Sequence, residues 1–342
     1  MRIFKNVSIL VIVSVFILLP LSIFSGGQEE KEETEAEPIV LAMASVGTSK
    51  HFAGQAQIQF AEKVKELSNG TLKIELHMAG SLGGERDTLE MVQLGSIDMW
   101  CGTEAATAIF IPEFKVFSLP FLVKSTEQYD NFIESDLGKE VLSAADRKGF
   151  VVLQSVVIGY RNFANNVRPI TSVDDVKGLR IRTMENEIQV ETMKALGANP
   201  TPLPLPEAYP AFQTGLVDGS FGDFGAFVQF EWREVLKYAT GMPLFTSYQN
   251  MLISKKVWDN LSKEHQDIIV EALNPYKAFL DELWVKGEDQ YAKELHDSGQ
   301  MIVNYLDVSK YSDFTKACQP VYGQLLKDYP DFKKYIDALT GS

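Results

Sequence analysis

From Pro38 onward, short apolar runs alternate with stretches whose apolar residues recur at helical spacing, and this alternation predicts an α/β architecture. Ile39 to Ala44 is a near-continuous apolar run and predicts a buried strand. Phe60, Val64 and Leu67 then fall on one helical face, and Ser68-Asn69-Gly70 supplies the stop. Leu72, Ile74 and Leu76 alternate with polar residues, so 71–77 is expected to be a second strand. The glycine-containing loop 80–84 leads to a helix ending at Leu94-Gly95, and a third strand is expected over Ile97 to Cys101. The predicted order so far is βαβαβ.

The pattern is renewed further along without an internal repeat. A helix is expected from Asp136 to Lys148, ended by Gly149, with a strand from Phe150 to Val156. Two more strands follow over Tyr160 to Ala164 and Leu179 to Thr183, and a helix over Glu187 to Leu196 is closed by Gly197. Three prolines in Thr201-Pro202-Leu203-Pro204-Leu205-Pro206 predict an extended connection. Met251 to Ser254 reads as another short strand. The last ninety or so residues are mainly helical, with Ser262 as N-cap and Pro275 dividing a long pattern that runs to about His296.

The segment ahead of Pro38 has a different character. Arg2 and Lys5 precede an uncharged, mostly apolar run from Val7 to Phe24, and Ser25-Gly26-Gly27 offers small residues for cleavage, which is the pattern of an export signal over 1–25. The apolar run is long for a secretory signal, so an uncleaved anchor is the alternative. Residues 26–38 read as an acidic tether, because Gln28 to Glu37 holds six glutamates and no large apolar side chain to offset its ordering entropy.

Composition narrows the class. The 342 residues exceed one ordinary core and suggest two lobes, while 45% apolar and 23% charged residues fit a globular protein and not a multi-span membrane protein. A formal net charge of -14 opposes binding to nucleic acid. An anionic ligand therefore needs a local cluster of positive charge. The only cysteines, Cys101 and Cys318, lie far from the signal, which leaves no lipid acceptor there, and they are expected to be two separate buried thiols.

The four histidines, His51, His77, His265 and His296, show no metal-ligand spacing, and the sequence carries no nucleophile elbow, phosphate loop or dinucleotide fingerprint. No metal, cofactor or catalytic residue is assigned. Asp218 and Asp223 form a conceivable acid/base pair, and with Glu185 they keep a secreted hydrolase or isomerase open as a rival. The plainer reading makes Asp218 a turn residue and Asp223 a solvated or capping residue. In Gly178-Leu179-Arg180-Ile181-Arg182, alternation sets Leu179 and Ile181 against Arg180 and Arg182. A guanidinium at the end of such a strand can grip a carboxylate, and a solvated edge pair is the alternative. Arg161, after Gly159-Tyr160, has the same ambiguity.

The pieces Leu82-Gly83-Gly84-Glu85-Arg86, Gly95-Ser96-Ile97-Asp98-Met99, Leu119-Pro120-Phe121 and Gly159-Tyr160-Arg161 occur in an order that resembles the DctP family, the extracytoplasmic solute receptors of tripartite ATP-independent periplasmic (TRAP) transporters. Lys177-Gly178-Leu179-Arg180-Ile181-Arg182, Gly197-Ala198-Asn199-Pro200-Thr201-Pro202 and Gln213-Thr214-Gly215-Leu216-Val217-Asp218-Gly219 continue the likeness, which covers essentially 39–342. The resemblance implies a two-lobed periplasmic binding protein fold with hinge-crossing strands and a long lobe-spanning helix. Lobe one would comprise 39–159 with 248–287, and lobe two 160–247 with 288–342. It implies a receptor and no enzyme, delivering a small organic acid, on this reading a monocarboxylate, to a small and a large membrane subunit. A more hydrophobic ligand for the same transporter class, or a membrane-anchored sensory module, are the alternatives.

By the same resemblance Arg182 clamps the ligand carboxylate and Arg161 assists; Glu104 and Glu185 are expected to border the cleft as well, where either would discourage a dicarboxylate. Where relatives carry a ligand-contacting asparagine, this chain has Gly222, between Phe221 and Asp223-Phe224. Leu205 stands where a ring often packs on the ligand. Together with Trp100, Phe221, Phe224 and Phe227, these departures predict a more apolar pocket than that of a sugar-acid receptor, unless the rings are ordinary core.

Overall fold

The computed structural model describes residues 37–341. The expected signal and almost all of the acidic tether lie outside the described residues. Nine strands form a single mixed sheet: β1 (Ile39–Ala44), β2 (Leu72–His77), β3 (Met99–Thr103), β4 (Phe150–Asn165), β5 (Arg180–Thr183), β6 (Asn199–Pro202), β7 (Gly219–Gly222), β8 (Tyr238–Ser254) and β9 (Ile302–Tyr305). The strand order is β2-β1-β3-β8-β4-β7-β5-β6, with β9 pairing beside β8. Two parallel groups, β2-β1-β3 and β6-β5-β7, are thus joined through the antiparallel pair β8 and β4.

The helices cover both faces. The first group carries α1 (Phe52–Leu67), α2 (Glu85–Leu94), α3 (Glu104–Phe110), α4 (Thr126–Glu134) and α5 (Asp136–Ser143). Around the second run α6 (Glu187–Ala195), α7 (Leu205–Gln213) and α8 (Phe224–Gln229), followed by α9 (Lys255–Asn260), α10 (Lys263–Asp297), α11 (Tyr311–Asp328) and α12 (Lys333–Thr340). Because helices cover the sheet on two sides, successive strand residues enter different cores: Trp100 packs with Phe114, Phe117 and Tyr129, whereas Met99 and Cys101 pack with Phe60 and Tyr276. In the second group Phe163 joins Phe221, Phe245 and Phe314, and Ala164 joins Phe212, Phe227 and Trp232.

Several expectations change in length. The two strands expected at 150–156 and 160–164 are one strand of 16 residues, because Gly159, at φ 131°, takes up a bulge instead of ending the pairing. The short strand expected at Met251 is the end of a 17-residue strand whose earlier part pairs with the same neighbour. The third strand starts at Met99 and not at Ile97, since Gly95 in the left-handed region lets the Ser96 N–H return to Met91 O at 2.9 Å and the chain is still leaving the helix there. The proline stretch is extended only as far as Leu203. Leu205 and Pro206 open α7, and a proline costs little in a first turn whose N–H has no helical partner.

The long C-terminal helix has the expected start, with Ser262 Oγ accepting the His265 N–H at 3.2 Å, and it passes through Pro275 without a break to Asp297. At 35 residues it is about 50 Å long. Ile269, Leu273, Tyr276 and Leu280 pack with α1 beside the first strand group, and Ala292 and Leu295 pack with α8 beside the second. The helix therefore spans both halves. Cys101 and Cys318 are unpaired and buried in separate cores, each thiol pushed up to about 12 by burial.

A buried polar chain links the crossing strands to the first half. Tyr129 donates to Ser155 Oγ, Ser155 donates to Asn250 Oδ1 at 2.5 Å, and Asn250 Nδ2 donates to Thr107 Oγ1 at 3.0 Å. An apolar residue in the middle strands the hydroxyls on either side. Asn250→Leu is expected to cost about 2–3 kcal/mol in urea unfolding with an unchanged m-value. An unchanged midpoint would mean that the chain adds no net stability.

Candidate functional site

The carboxyl ends of the parallel strands in both groups point toward the crossing pair, and a cavity lies where they converge. Its walls come from Ser45, Val46 and Gly47 after β1, Gly102 and Thr103 at the end of β3, Arg182 and Met184 at the end of β5, and Gly222 and Asp223 at the end of β7. Ile158 and Arg161 of β4 and Ser247, Tyr248 and Gln249 of β8 form its floor. α/β sheets bind ligands at this edge, where helix N-termini and strand ends leave polar groups unpaired. About 90 Å³ is open to the centres of water molecules, and a recess of about 50 Å³, also lined by Arg182, adjoins it.

Arg182 is 2% exposed. Its Nε donates to Leu203 O at 2.9 Å, which turns the rest of the guanidinium toward the cavity. Among the described residues, no carboxylate lies within ion-pair distance of it. Burial, with repulsion from Arg161, brings its pKa down to about 10, and the charges of Glu85 and Glu185 limit the fall. Arg180, two residues earlier, takes the opposite course: its side chain is exposed and forks onto Asp218, at 2.5 Å from Nη2 to Oδ1 and 3.2 Å from Nε to Oδ2. Asp218 is thus a structural partner at the end of a strand.

Arg161 is buried and reaches Glu104 Oε2 at 3.4 Å, an oxygen that also accepts the Tyr248 N–H at 3.4 Å. Arg161 Nε and Glu104 Oε1 are buried with no hydrogen-bond partner among the described residues. Glu104 stands behind Arg161 and does not line the cavity, whereas Glu85 does. The Glu85 carboxylate accepts from Thr103 N at 2.9 Å and Thr103 Oγ1 at 2.6 Å. Burial raises the pKa of both glutamates. Gly102 allows this approach: a Cβ there would lie 2.3 Å from the Trp100 ring and 2.6 Å from Glu85 Oε1.

The remaining candidates separate clearly. Leu205, Phe221 and Gly222 line the cavity, and Phe221 is held by the Phe245 ring at 5.0 Å. Glu185 lines the adjoining recess and pairs with Arg86 at 3.5 Å. Phe224 is outside the cavity, packed on Phe227 at 5.9 Å and facing a separate groove with Trp284 and Tyr305. That groove is larger, about 640 Å³, but Glu288 and Asp289 border it and Lys124 is its only cation among the lining residues. Trp100 and Phe227 are core residues, so two of the four rings expected to make the pocket apolar do not reach it, and Phe224 makes a third. Phe230 and Trp232 take that part instead.

Sequence reasoning also missed a pair. His51 Nε2 lies 3.3 Å from Asp223 Oδ1, both side chains are buried, and both line the cavity. Asp223 is the cap of α8, as the capping alternative foresaw, accepting the Ala226 N–H at 2.7 Å, but it is not solvated.

The sequence matches the family model of bacterial extracellular solute-binding protein, family 7 (DctP), over residues 43–328. The chain belongs to this family. A TRAP periplasmic solute binding protein from a Sulfitobacter species, with bound β-D-galacturonate, has the same fold at a TM-score of 0.84 and 28% identity, over 89% of this chain and 100% of that one. The sugar acid binding protein of Advenella mimigardefordensis, in complex with galactonate, has a TM-score of 0.85 at 27% identity, over 90% and 99%. The C4-dicarboxylate-binding periplasmic protein DctP of Rhodobacter capsulatus is 25% identical over 291 residues, 85% of this chain and 87% of that protein. The two-lobed TRAP receptor fold is thereby shown, and so is the role: a solute-binding receptor and not an enzyme. No helix among the described residues of this receptor is long and apolar enough to cross a membrane.

Behind the cavity, Glu288 of α10 accepts the Phe224 N–H at 3.1 Å. Burial, together with the charge of Asp223, pushes its carboxyl up from 4.5 to about 8, against the Phe224 and Gly225 N–H groups. A raised folded value means that the fold prefers the protonated form. The associated stability is complete below about pH 4.5 and is lost as pH rises toward about 8. Glu288→Gln is expected to flatten the fall in melting temperature across that window. Parallel melting curves for the two proteins at every pH would contradict this titration.

Proposed function

We propose that the receptor captures a small monocarboxylate between its two lobes and presents it to the small and large membrane subunits of a TRAP transporter. The observation that carries this reading is Arg182, a buried guanidinium without a carboxylate partner among the described residues, facing the cavity beside Arg161. Two buried like charges favour an anion, and a planar guanidinium grips a carboxylate through paired hydrogen bonds. Glu85 in the wall and Glu104 behind Arg161 disfavour a second carboxylate nearby. The acids bound by the Sulfitobacter and Advenella proteins, galacturonate and galactonate, each carry one carboxylate.

A second reading keeps Arg182 and makes the ligand more hydrophobic. Ile158, Met184, Leu205, Phe221, Phe230 and Trp232 in the lining favour an apolar tail. Gly222 adds no polar group, and a Cβ there would lie 3.3 Å from the Phe227 ring.

The proposed lobes divide within the crossing strands, 39–159 with 248–287 against 160–247 with 288–342. The last helix is an exception to that division, because α12 packs on α4 and α5, and Lys334 and Tyr335 both reach Glu140. Export rests on the N-terminal pattern, a charged start, an apolar run and small residues. Intact-mass analysis of exported protein is expected to show loss of about the first 25 residues. Full-length chain recovered only from membranes would make it an anchored module.

Arg182→Ala is expected to weaken binding of galacturonate or galactonate about ten- to a hundred-fold by calorimetry, with little change in the melting of ligand-free protein. Arg182→Lys keeps the charge, loses the planar fork and should also bind poorly. Wild-type affinity in Arg182→Ala would remove the carboxylate clamp and favour the apolar-ligand reading.

A further inference from the structure

We propose that His51 and Asp223 form a clasp between the two lobes which closes over the bound acid and sets how slowly it leaves. The proposal rests on the receptor reading above. His51 lies in the loop after β1 and Asp223 directly follows β7. Those strands stand on opposite sides of the β8 and β4 pair in the order β1-β3-β8-β4-β7, so the contact joins one parallel group to the other.

Local structure aims both side chains. His51 caps α1, its Nδ1 accepting the Ala53 N–H at 3.2 Å. An acceptor nitrogen carries no proton, so the ring proton is on Nε2, directed at Asp223 Oδ1 3.3 Å away. The rings of Phe52, at 4.1 Å, and Phe230, at 6.2 Å and nearly parallel, fix the plane of the imidazole. Asp223 is fixed by its cap on Ala226. Despite burial, the hydrogen bond from His51, the Ala226 N–H and the charge of Arg161 keep its carboxyl below the usual range, and its negative charge in turn raises the neighbouring Glu288 carboxyl of α10.

Other contacts cross between the halves, but their settings differ. Lys115 with Glu187 and Arg86 with Glu185 each include an exposed or half-exposed partner, and water screens such pairs. Asn186 donates to Ala105 O and to Ser118 Oγ, both at 3.1 Å, but it is uncharged and does not line the cavity. Arg161 and Glu104 are buried as well, but Glu104 does not line the cavity; among the described residues His51 and Asp223, 7% and 8% exposed, are the buried pair of which both members do. Separating the lobes returns both groups to water, so the bond exists only in the closed state. Ligand release must break it, whereas ligand entry does not.

The test uses serine at each position, because serine still caps a helix and is too short to reach across. Stopped-flow binding of galacturonate and galactonate is measured for wild type, His51→Ser, Asp223→Ser and the double variant. The clasp predicts dissociation about ten-fold faster or more in each single variant, association within about two-fold, ligand-free melting nearly unchanged, and a double variant no faster than the singles. Equal dissociation rates in wild type and both single variants would overturn the clasp while leaving the receptor reading in place. So would additive effects accompanied by an equal loss of ligand-free melting temperature, which mark two independent structural roles. If neither acid binds the wild type, the acid-receptor reading falls and the clasp with it.

Discussion

Two guanidinium groups share one buried cavity, and much of the surrounding structure serves to make that arrangement tolerable. Arg161 and Arg182 repel each other in a low-dielectric setting, where the interaction is stronger than at the surface. The protein answers with carboxylates that are near but held away from direct neutralisation. Glu104 takes one nitrogen of Arg161 from behind, and Glu85 is tied to Thr103. Arg182 is bound only through Nε, to a backbone carbonyl, among the described residues. The positive charge left facing the cavity is what would allow a chain with a net charge of -14 to hold the proposed anion.

That arrangement depends on the crossing strands. Arg161 lies on β4, and its partner Glu104 also accepts from Tyr248 on β8, so the two long strands and α3 fix one guanidinium together. Bulges at three places in the β4 and β8 pairing bend the ribbon, and the bulge at Gly159 lies two residues from Arg161. A straight strand would alternate its side chains without interruption. The shift of register between Arg161 and Phe163 interrupts that alternation, so that Arg161 forms the floor of a cavity while Phe163, two residues on, enters the core.

The sequence made the secondary structure legible where caps and periodicity are local, as at Ser262 and Gly95. It was less informative where an outcome depends on a partner. Alternation placed Arg180 and Arg182 on the same face, yet one is solvated and the other buried, because Arg180 finds Asp218 at the strand entrance and Arg182 points into the cleft at the exit. The break expected between 156 and 160 vanished because a glycine that weakens a strand on its own can sit in a bulge once a long neighbour pairs across it. Among the aromatics, spacing could not separate Phe221, which lines the cavity, from Phe224 and Phe227, which do not. Phe230 and Trp232 reach the cavity from the segment after α8, where no periodic pattern marks them. His51 was weighed only as a metal ligand, since its partner lies 172 residues away and is a neighbour only after folding.

The chemistry of the cavity is divided between the two strand groups, and on the proposed reading this division would tie affinity to closure. Glu85, Thr103 and His51 come from the helix start, strand end and loop of the first strand group, and Arg182, Phe221 and Asp223 from the strand ends of the second and the residue that follows β7. Either set alone faces water, where a single charge-assisted hydrogen bond contributes little net energy because water offers the same bonds. Bringing the sets together removes that competing water and strengthens each contact, at the cost of desolvating the acids and guanidiniums that line the wall. The proposed anion at Arg182 would offset that cost, because it would supply the negative charge that the protein's own carboxylates withhold. On the proposed reading the ligand would therefore complete the electrostatics of the closed form, and closure without it would leave two buried cations only partly compensated.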